Sequence, residues 1–240
     1  MKFYFCSKLR ASLLKKVMHI NLQENILVLP ICTMTSYVDN EQQWEEYYGG
    51  DGIQAKKIKT QLFEVGADKE HVYFYNYYLN NYNDQSDWSK TYAYLVIPGG
   101  DADLGTLRAN QLGLVSKIRC FKGSVIAYSA GALMLYEKYF LSPNWYYKQL
   151  EYCRGLNIRE MPSWLLEVHY DGTEEMDRYI FQAGSELGKE VFAVTDDGLI
   201  CYDSNSKSIE SVGEVYKFNE KNKQKIKGEF YKKISVNKRS

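Results

Sequence analysis

One short segment of this chain carries the residue types that a nucleophile needs. In Gly123-Ser-Val-Ile-Ala-Tyr-Ser-Ala-Gly-Ala132 an apolar strand-like run leads directly into Ser129, then into small residues, then into a helical pattern. A tight turn there would lift the Ser129 hydroxyl above the edge of a sheet. Ala127, Ala130 and Gly131 leave room for such a turn, and the start of the following helix offers unpaired N–H groups to a developing oxyanion. The segment departs from G-x-S-x-G only at Ala127. The same residues would also suit an ordinary strand-to-helix turn in which the serine caps the helix.

A second segment, Ile97-Pro-Gly-Gly-Asp101, also ends an apolar strand-like run. In an open α/β sheet the carboxyl ends of the strands are where sites form. The N–H groups of Gly99 or Gly100 could supply the other half of an oxyanion hole; a glycine turn without a role is the alternative. A serine hydroxyl needs a base, most often His. The chain has three: His19, His71 and His169. His19 lies beside the first helical stretch, and His71 precedes a strand at the wrong end of the sheet. His169, in Leu-Glu-Val-His-Tyr-Asp171, follows a strand-like run downstream of the serine, and elimination favours it.

These residues must be positioned by an alternation of strands and helices. Lys2–Cys6 reads as a strand and residues 7–18 as a helix. Residues 25–32 form a continuous apolar run, as in a strand buried on both faces. Helix formers fill residues 41–65, interrupted by Gly49, Gly50 and Gly52. Strands are expected at 71–78, 92–97 and Ser124–Tyr128, and helices at 104–120 and 130–138. Beyond Phe140 a loop is expected over 144–159, a strand over 164–170 and a helix over Glu174–Leu187. Residues 191–195 and 199–202 read as strands flanking an Asp-Asp-Gly hairpin turn, with one more strand at 214–218. The pattern predicts one α/β domain over residues 1–218, with a mainly parallel central sheet covered by helices on both faces. Residues 219–240 are rich in Lys and Asn and read as a mobile tail, in which 226–236 could still pair as a strand.

Composition narrows the function. The 240 residues hold 30 basic and 30 acidic side chains, so the basic footprint of a nucleic-acid binder is absent. The 22 Tyr, many between Tyr73 and Tyr94, read as half-buried strand and helix surface rather than as a ligand platform. Cys6, Cys32, Cys120, Cys153 and Cys201 are scattered and lack a C-x-x-C pair, which suggests reduced thiols rather than zinc ligands or disulfides. The amino-terminal stretch is a poor signal peptide, and no window approaches the roughly 20 apolar residues of a membrane span. A cytoplasmic protein without metal or organic cofactor is expected, with homo-oligomerisation left open.

Taken in order, IPGGD, AYSAGA, VHYD and VTDDGLICYD resemble the aspartyl dipeptidase and cyanophycinase family of serine peptidases, over roughly residues 25–218. The resemblance implies a flavodoxin-like, class I glutamine amidotransferase-like fold in which Ser replaces the amidotransferase Cys. It implies Ser129 as nucleophile, His169 as general base, and Gly99 or Gly100 with Ala130 as the oxyanion hole. The family's acid is usually Glu just before a short strand; Asp197 occupies that place, one methylene shorter. Asp171 is the alternative, and Asp196 with Asp197 could equally form a solvated hairpin turn. Asp197 is preferred, because it would reach His169 from a neighbouring strand. Family members that cleave after an amino-terminal Asp hold its carboxylate with Arg beyond the His; here only Arg178 lies there, so that specificity does not carry over. Asp101 stands where many relatives have Asn, which is expected to alter the pocket. The implied activity is cleavage of short peptides through an acyl-enzyme. A non-catalytic member of the same superfamily, binding a small molecule or a partner at the same sheet edge, is the alternative.

Overall fold

The computed structural model describes residues 1–79, 88–144, 146–220 and 222–226. In chain order the elements are β1 (Lys2–Cys6), α1 (Ala11–Leu14), β2 (Ile26–Val28), α2 (Glu41–Tyr48), α3 (Ile53–Glu64), β3 (Val72–Phe74), α4 (Trp88–Thr91) and β4 (Tyr94–Ile97). There follow α5 (Ala102–Gln111), α6 (Leu114–Cys120), β5 (Ser124–Tyr128), α7 (Ala130–Leu133), β6 (Lys138–Leu141), β7 (Glu151–Arg154) and β8 (Leu165–Val168). The chain then forms α8 (Glu174–Leu187), β9 (Val191–Asp203), β10 (Ser208–Phe218) and β11 (Lys223–Ile226).

Among the described residues nine strands form one sheet, in the order β11-β10-β9-β1-β5-β4-β2-β3, with β8 also beside β9. β1, β5, β4, β2 and β3 run parallel, and β8 is parallel to β9. β9, β10 and β11 add an antiparallel wing. Every residue of β2 and β4 is buried, as are the last four of β1 and of β5. Successive side chains of a strand point to opposite faces, so both faces of these central strands are covered. This is why the strands read as unbroken apolar runs rather than as alternating ones.

The helices carry the signals that bound them. Asp101 caps α5 by accepting the Leu104 N–H at 3.0 Å. Thr173 caps α8 by accepting the Met176 N–H at 3.2 Å. Glu174, Glu175 and Asp177 in the first turn of α8 complement its dipole, and Gly188, at φ 62°, ends it in a left-handed turn. Ile180 and Ala183 of α8 pack with Leu165, Val191 and Phe218 in a second core beneath β8 and β9.

Several expectations need correction. The helix expected over 7–18 shrinks to α1: before it Ser7 is tied to the Val194 carbonyl, and after Leu14 the chain continues as turns. The strand expected over 71–78 ends at Phe74. Of the tyrosine-rich stretch, Tyr77 and Tyr94 are buried whereas Tyr73 and Tyr78 are exposed; residues 80–87 lie outside the described residues. The helix expected over 130–138 is only α7, after which the chain turns into β6. The loop expected over 144–159 contains β7, which pairs antiparallel with β6. There is no hairpin at Asp196-Asp197-Gly198: β9 runs straight through, and the turn comes at Ser204–Lys207 instead. The paired part of the carboxyl-terminal segment is Lys223–Ile226, as an edge strand on β10. Residues 227–240, most of the stretch expected to pair, lie outside the described residues.

Candidate active site

Ser129 stands between β5 and α7 with φ 52° and ψ −131°. A non-glycine residue at positive φ costs of order 1–3 kcal/mol and persists only where its surroundings enforce it. Here the enforcement is visible. The Ser129 N–H donates to the Cys6 carbonyl at the end of β1, at 2.9 Å. A Cβ on Gly131 would sit 2.3 Å from the Ile97 carbonyl oxygen, so only glycine lets α7 leave β5 this close to β4. A Cβ on Gly99 would lie 2.7 Å from the Ser129 Cβ. Gly99 therefore packs directly against the serine. Among the described residues the N–H groups of Gly99, Gly100 and Ala130 donate no hydrogen bond. Of the expected oxyanion residues, Ala130 follows Ser129 in the chain and Gly99 packs against it, whereas Gly100 lies against Cys32 and Thr33.

His169 follows β8 and also has positive φ, 57°. Its Nε2 lies 2.9 Å from Ser129 Oγ, and its Nδ1 lies 2.7 Å from Asp196 Oδ1. Ser7 fixes the backbone from below: its buried hydroxyl accepts the His169 N–H at 2.8 Å and donates to the Val194 carbonyl at 2.8 Å. The other two histidines sit at the opposite end of the sheet. His71 Nδ1 meets Asn25 Oδ1 ahead of β2, and the His19 carbonyl meets the Tyr94 hydroxyl at the start of β4.

The acid beside His169 is Asp196, not the expected Asp197. Asp197 turns away and pairs with Arg10 at 2.8 Å, its side chain 68% exposed. The reason is a bulge. Val194 pairs with Val215 and Gly198 with Gly213, which leaves residues 195–197 opposite Glu214 alone. Neighbouring side chains in an extended segment point to opposite sides, so one Asp of the pair can face His169 and the other cannot. Asp171, the alternative, accepts both the N–H and the hydroxyl of Thr173 and belongs to the turn before α8. Arg178 is exposed on α8, and the Asp101 carboxylate is occupied as the cap of α5.

Asp196 also receives Lys8, with Nζ 2.5 Å from Oδ2. Burial pushes its carboxyl upward, but the hydrogen bonds from Lys8 and His169 outweigh this and hold it below the usual carboxylate range. An ionised Asp196 can only accept, so His169 Nδ1 must donate to it, and Nε2 is left to accept the Ser129 hydroxyl. Cys6 lies on the neighbouring strand end, but burial pushes its thiol up to about 12, which removes it as a competing nucleophile.

Ser129, His169 and Gly99 open onto a cleft of about 990 Å³. Its walls come from the loop after β1 (Ser7, Lys8, Arg10) and from α3 (Gln54, Lys56, Lys57). Sequence reasoning missed Asp196 as the contact to His169, and missed Ser7 and Lys8 altogether. The available signal was their place: all three lie at the edge where the parallel strands end. Among the described residues no group of three or more His, Cys, Asp or Glu could hold a metal ion, and no helix is long and apolar enough to cross a membrane.

No protein-family model matches the sequence, and no curated protein matches it. Solved structures do match. A candidate peptidase E protein from Listeria monocytogenes EGD-e superposes with a TM-score of 0.61 at 12% identity, covering 88% of this chain and 98% of that one. A peptidase from an acI-B1 actinobacterium gives a TM-score of 0.63 at 15% identity, covering 96% of each chain. The first is named as a peptidase E and the second simply as a peptidase. At such identities the likeness speaks for architecture alone: the chain shares the fold of these two structures, a mainly parallel central sheet flanked by helices.

Proposed function

We propose that this protein is a serine peptidase acting on short peptides, with Ser129 as nucleophile, His169 as general base and Asp196 as the acid that orients it. The observation that carries this reading is the unbroken chain from Ser129 Oγ through both ring nitrogens of His169 to Asp196, set on an elbow held from the ends of β1 and β4.

In this reading the Ser129 oxygen attacks a peptide carbonyl carbon while its proton passes to His169 Nε2. The tetrahedral oxyanion takes hydrogen bonds from the N–H groups of Gly99 or Gly100 and Ala130. The C–N bond then breaks, and the leaving amine takes the proton from Nε2. Water repeats the sequence on the acyl-enzyme and releases the acid. Asp196 keeps the ring in the tautomer that can accept, and it stabilises the imidazolium formed during attack. The cleft of about 990 Å³ has room for a short peptide.

A fluorophosphonate probe and a panel of di- to tetrapeptides test this. The wild type is expected to be labelled and to release amino-terminal fragments, and Ser129→Ala to do neither. Equal labelling of both proteins, or labelling without hydrolysis of any peptide, would favour the binding role at the same sheet edge.

A further inference from the structure

Lys8 has no place in a Ser-His-Asp scheme, yet it meets Asp196 from the side opposite His169. One carboxylate oxygen of Asp196 accepts from His169 Nδ1 at 2.7 Å and the other lies 2.5 Å from Lys8 Nζ. The residue before it, Ser7, holds the His169 backbone, so two consecutive residues of the loop after β1 address both partners of the pair. We propose that Lys8 is a positioning residue for the reaction. It fixes the Asp196 carboxylate against rotation, and its charge offsets part of the field that Asp196 exerts on the His169 ring. This rests on the catalytic reading of Ser129, His169 and Asp196 given above.

The other charged groups around Asp196 are engaged elsewhere or lie across the cleft. Arg10 pairs with Asp197, Lys225 with Glu214 on β10, and Lys15 with Glu64 on α3. Asp171 is held by Thr173. Glu167 is buried against the Ser142 hydroxyl at 2.7 Å. Lys56 and Lys57 line the far wall, on α3. Among the described residues Lys8 is therefore the lysine or arginine in contact with Asp196. As a contributor to stability a pair this exposed, at 55% and 37% of the two side chains, counts for little. Its consequence is expected in the pH profile instead.

With Lys8 neutralised, the negative charge of Asp196 acts on His169 without an offset, and the protonated ring is favoured. The acid limb of the rate profile should then move to higher pH by about half a unit, as expected for a unit charge a few ångströms away near the surface. Loss of the second tether should lower the plateau by roughly threefold to tenfold, because an orienting group that can rotate spends less time in the productive geometry. The experiment is the rate of fluorophosphonate labelling from pH 5 to 9 for the wild type, Lys8→Met, Lys8→Arg and Lys15→Met, with Ser129→Ala as control. Lys8→Gln serves as a second neutral variant should Lys8→Met fail to fold. The expected result is an upward shift of the acid limb in the neutral variants, with recovery in Lys8→Arg and no change in Lys15→Met. An acid limb that stays in place or moves downward in the neutral variants, while the wild type labels at Ser129, overturns the role of Lys8 and leaves the triad standing. A wild type that does not label, or a Ser129→Ala that labels equally, overturns both.

Discussion

Asp196 reaches His169 Nδ1 at 2.7 Å from the point where β9 changes neighbours. Up to Val194 the strand lies beside β8, and from Leu199 onward it lies beside β1. Between them three residues bulge opposite Glu214. The acid thus comes from the seam between the parallel β8–β9 pair and the central strands, close to where β1, β5 and β8 all end. One residue further along, Asp197 is held outward by Arg10. Two adjacent carboxylates of the same type have different surroundings, and this makes them separable by mutation.

Asp196→Asn is expected to lower peptide hydrolysis by about 10⁴-fold, the loss seen when the orienting acid of a triad is removed. The amide can donate to Nδ1 and so stabilise the wrong tautomer. Asp197→Asn breaks only an exposed ion pair with Arg10 and should stay within about threefold of the wild type. Measured kcat/KM values for the two variants check this. The reverse order of losses would return the acid to Asp197.

Ser7→Ala leaves the His169 N–H without its buried partner, while the Val194 carbonyl keeps only the Tyr170 N–H at 3.1 Å. Removing one partner of a buried hydrogen bond costs about 1–3 kcal/mol, so the melting temperature should fall by several degrees. Activity should fall as well, because His169 loses the anchor of its positive-φ backbone. Ser12→Ala, on the following helix α1 and without a hydrogen bond to His169, is the comparison. Equal effects of the two substitutions on activity would count against an anchoring role for Ser7.

The course of the chain through the core was legible because the central strands are buried on both faces and leave unbroken apolar runs. The same holds for α8, whose Thr cap, acidic first turn and terminal Gly are all local signals. The hairpin expected at Asp196-Asp197-Gly198 failed for a non-local reason. An Asp-Asp-Gly triplet has turn chemistry, but β10 supplies partners on both sides of it and absorbs the extra residues as a bulge. The choice of Asp197 over Asp196 failed with it, since a bulge resets which side chain faces which way. Lys8 escaped notice because a lysine after a strand looks solvated, and only the fold brings β9 within its reach. Ser129, Gly99 and Gly100 were legible because each is bound to a tight backbone passage that few residue types can make.

Gly99→Ala tests the close packing around the nucleophile. The added methyl would lie 2.7 Å from Ser129 Cβ and 3.1 Å from Ser129 Oγ. The serine or the Gly99-Gly100 turn must shift, and either moves the hydroxyl relative to the oxyanion donors. A displacement of about 1 Å near the reacting atoms can cost on the order of 10²-fold in rate. The expectation is a loss of labelling of at least tenfold, with a far smaller change in melting temperature than a core cavity would bring. Labelling at the wild-type rate would mean that the turn has slack the packing does not suggest.

Glu167 gives a pH-dependent prediction of the opposite sign to the usual carboxylate. It is buried on β8, two residues before His169, and burial pushes its carboxyl from 4.5 up to about 8 despite the hydrogen bond from Ser142, with the charge of Asp171 adding to the rise. The unfolded chain releases this proton at the ordinary value, so between about pH 4.5 and 8 the folded protein holds a proton that the unfolded one does not. Folding stability must then fall as pH rises through that window, with the contribution fully present below it and lost above it. Asp196 acts the other way, but its carboxyl is held low, and its contribution is lost only in acid, below this range. Glu167→Gln keeps a neutral group of similar size beside Ser142 at every pH. The wild type should lose stability of order a few kcal/mol between pH 5 and 8.5 relative to Glu167→Gln. Denaturant melts of both proteins at a series of pH values measure the difference directly. Parallel curves would mean that Glu167 titrates near its ordinary value, with water or a neighbour reaching it when the protein breathes.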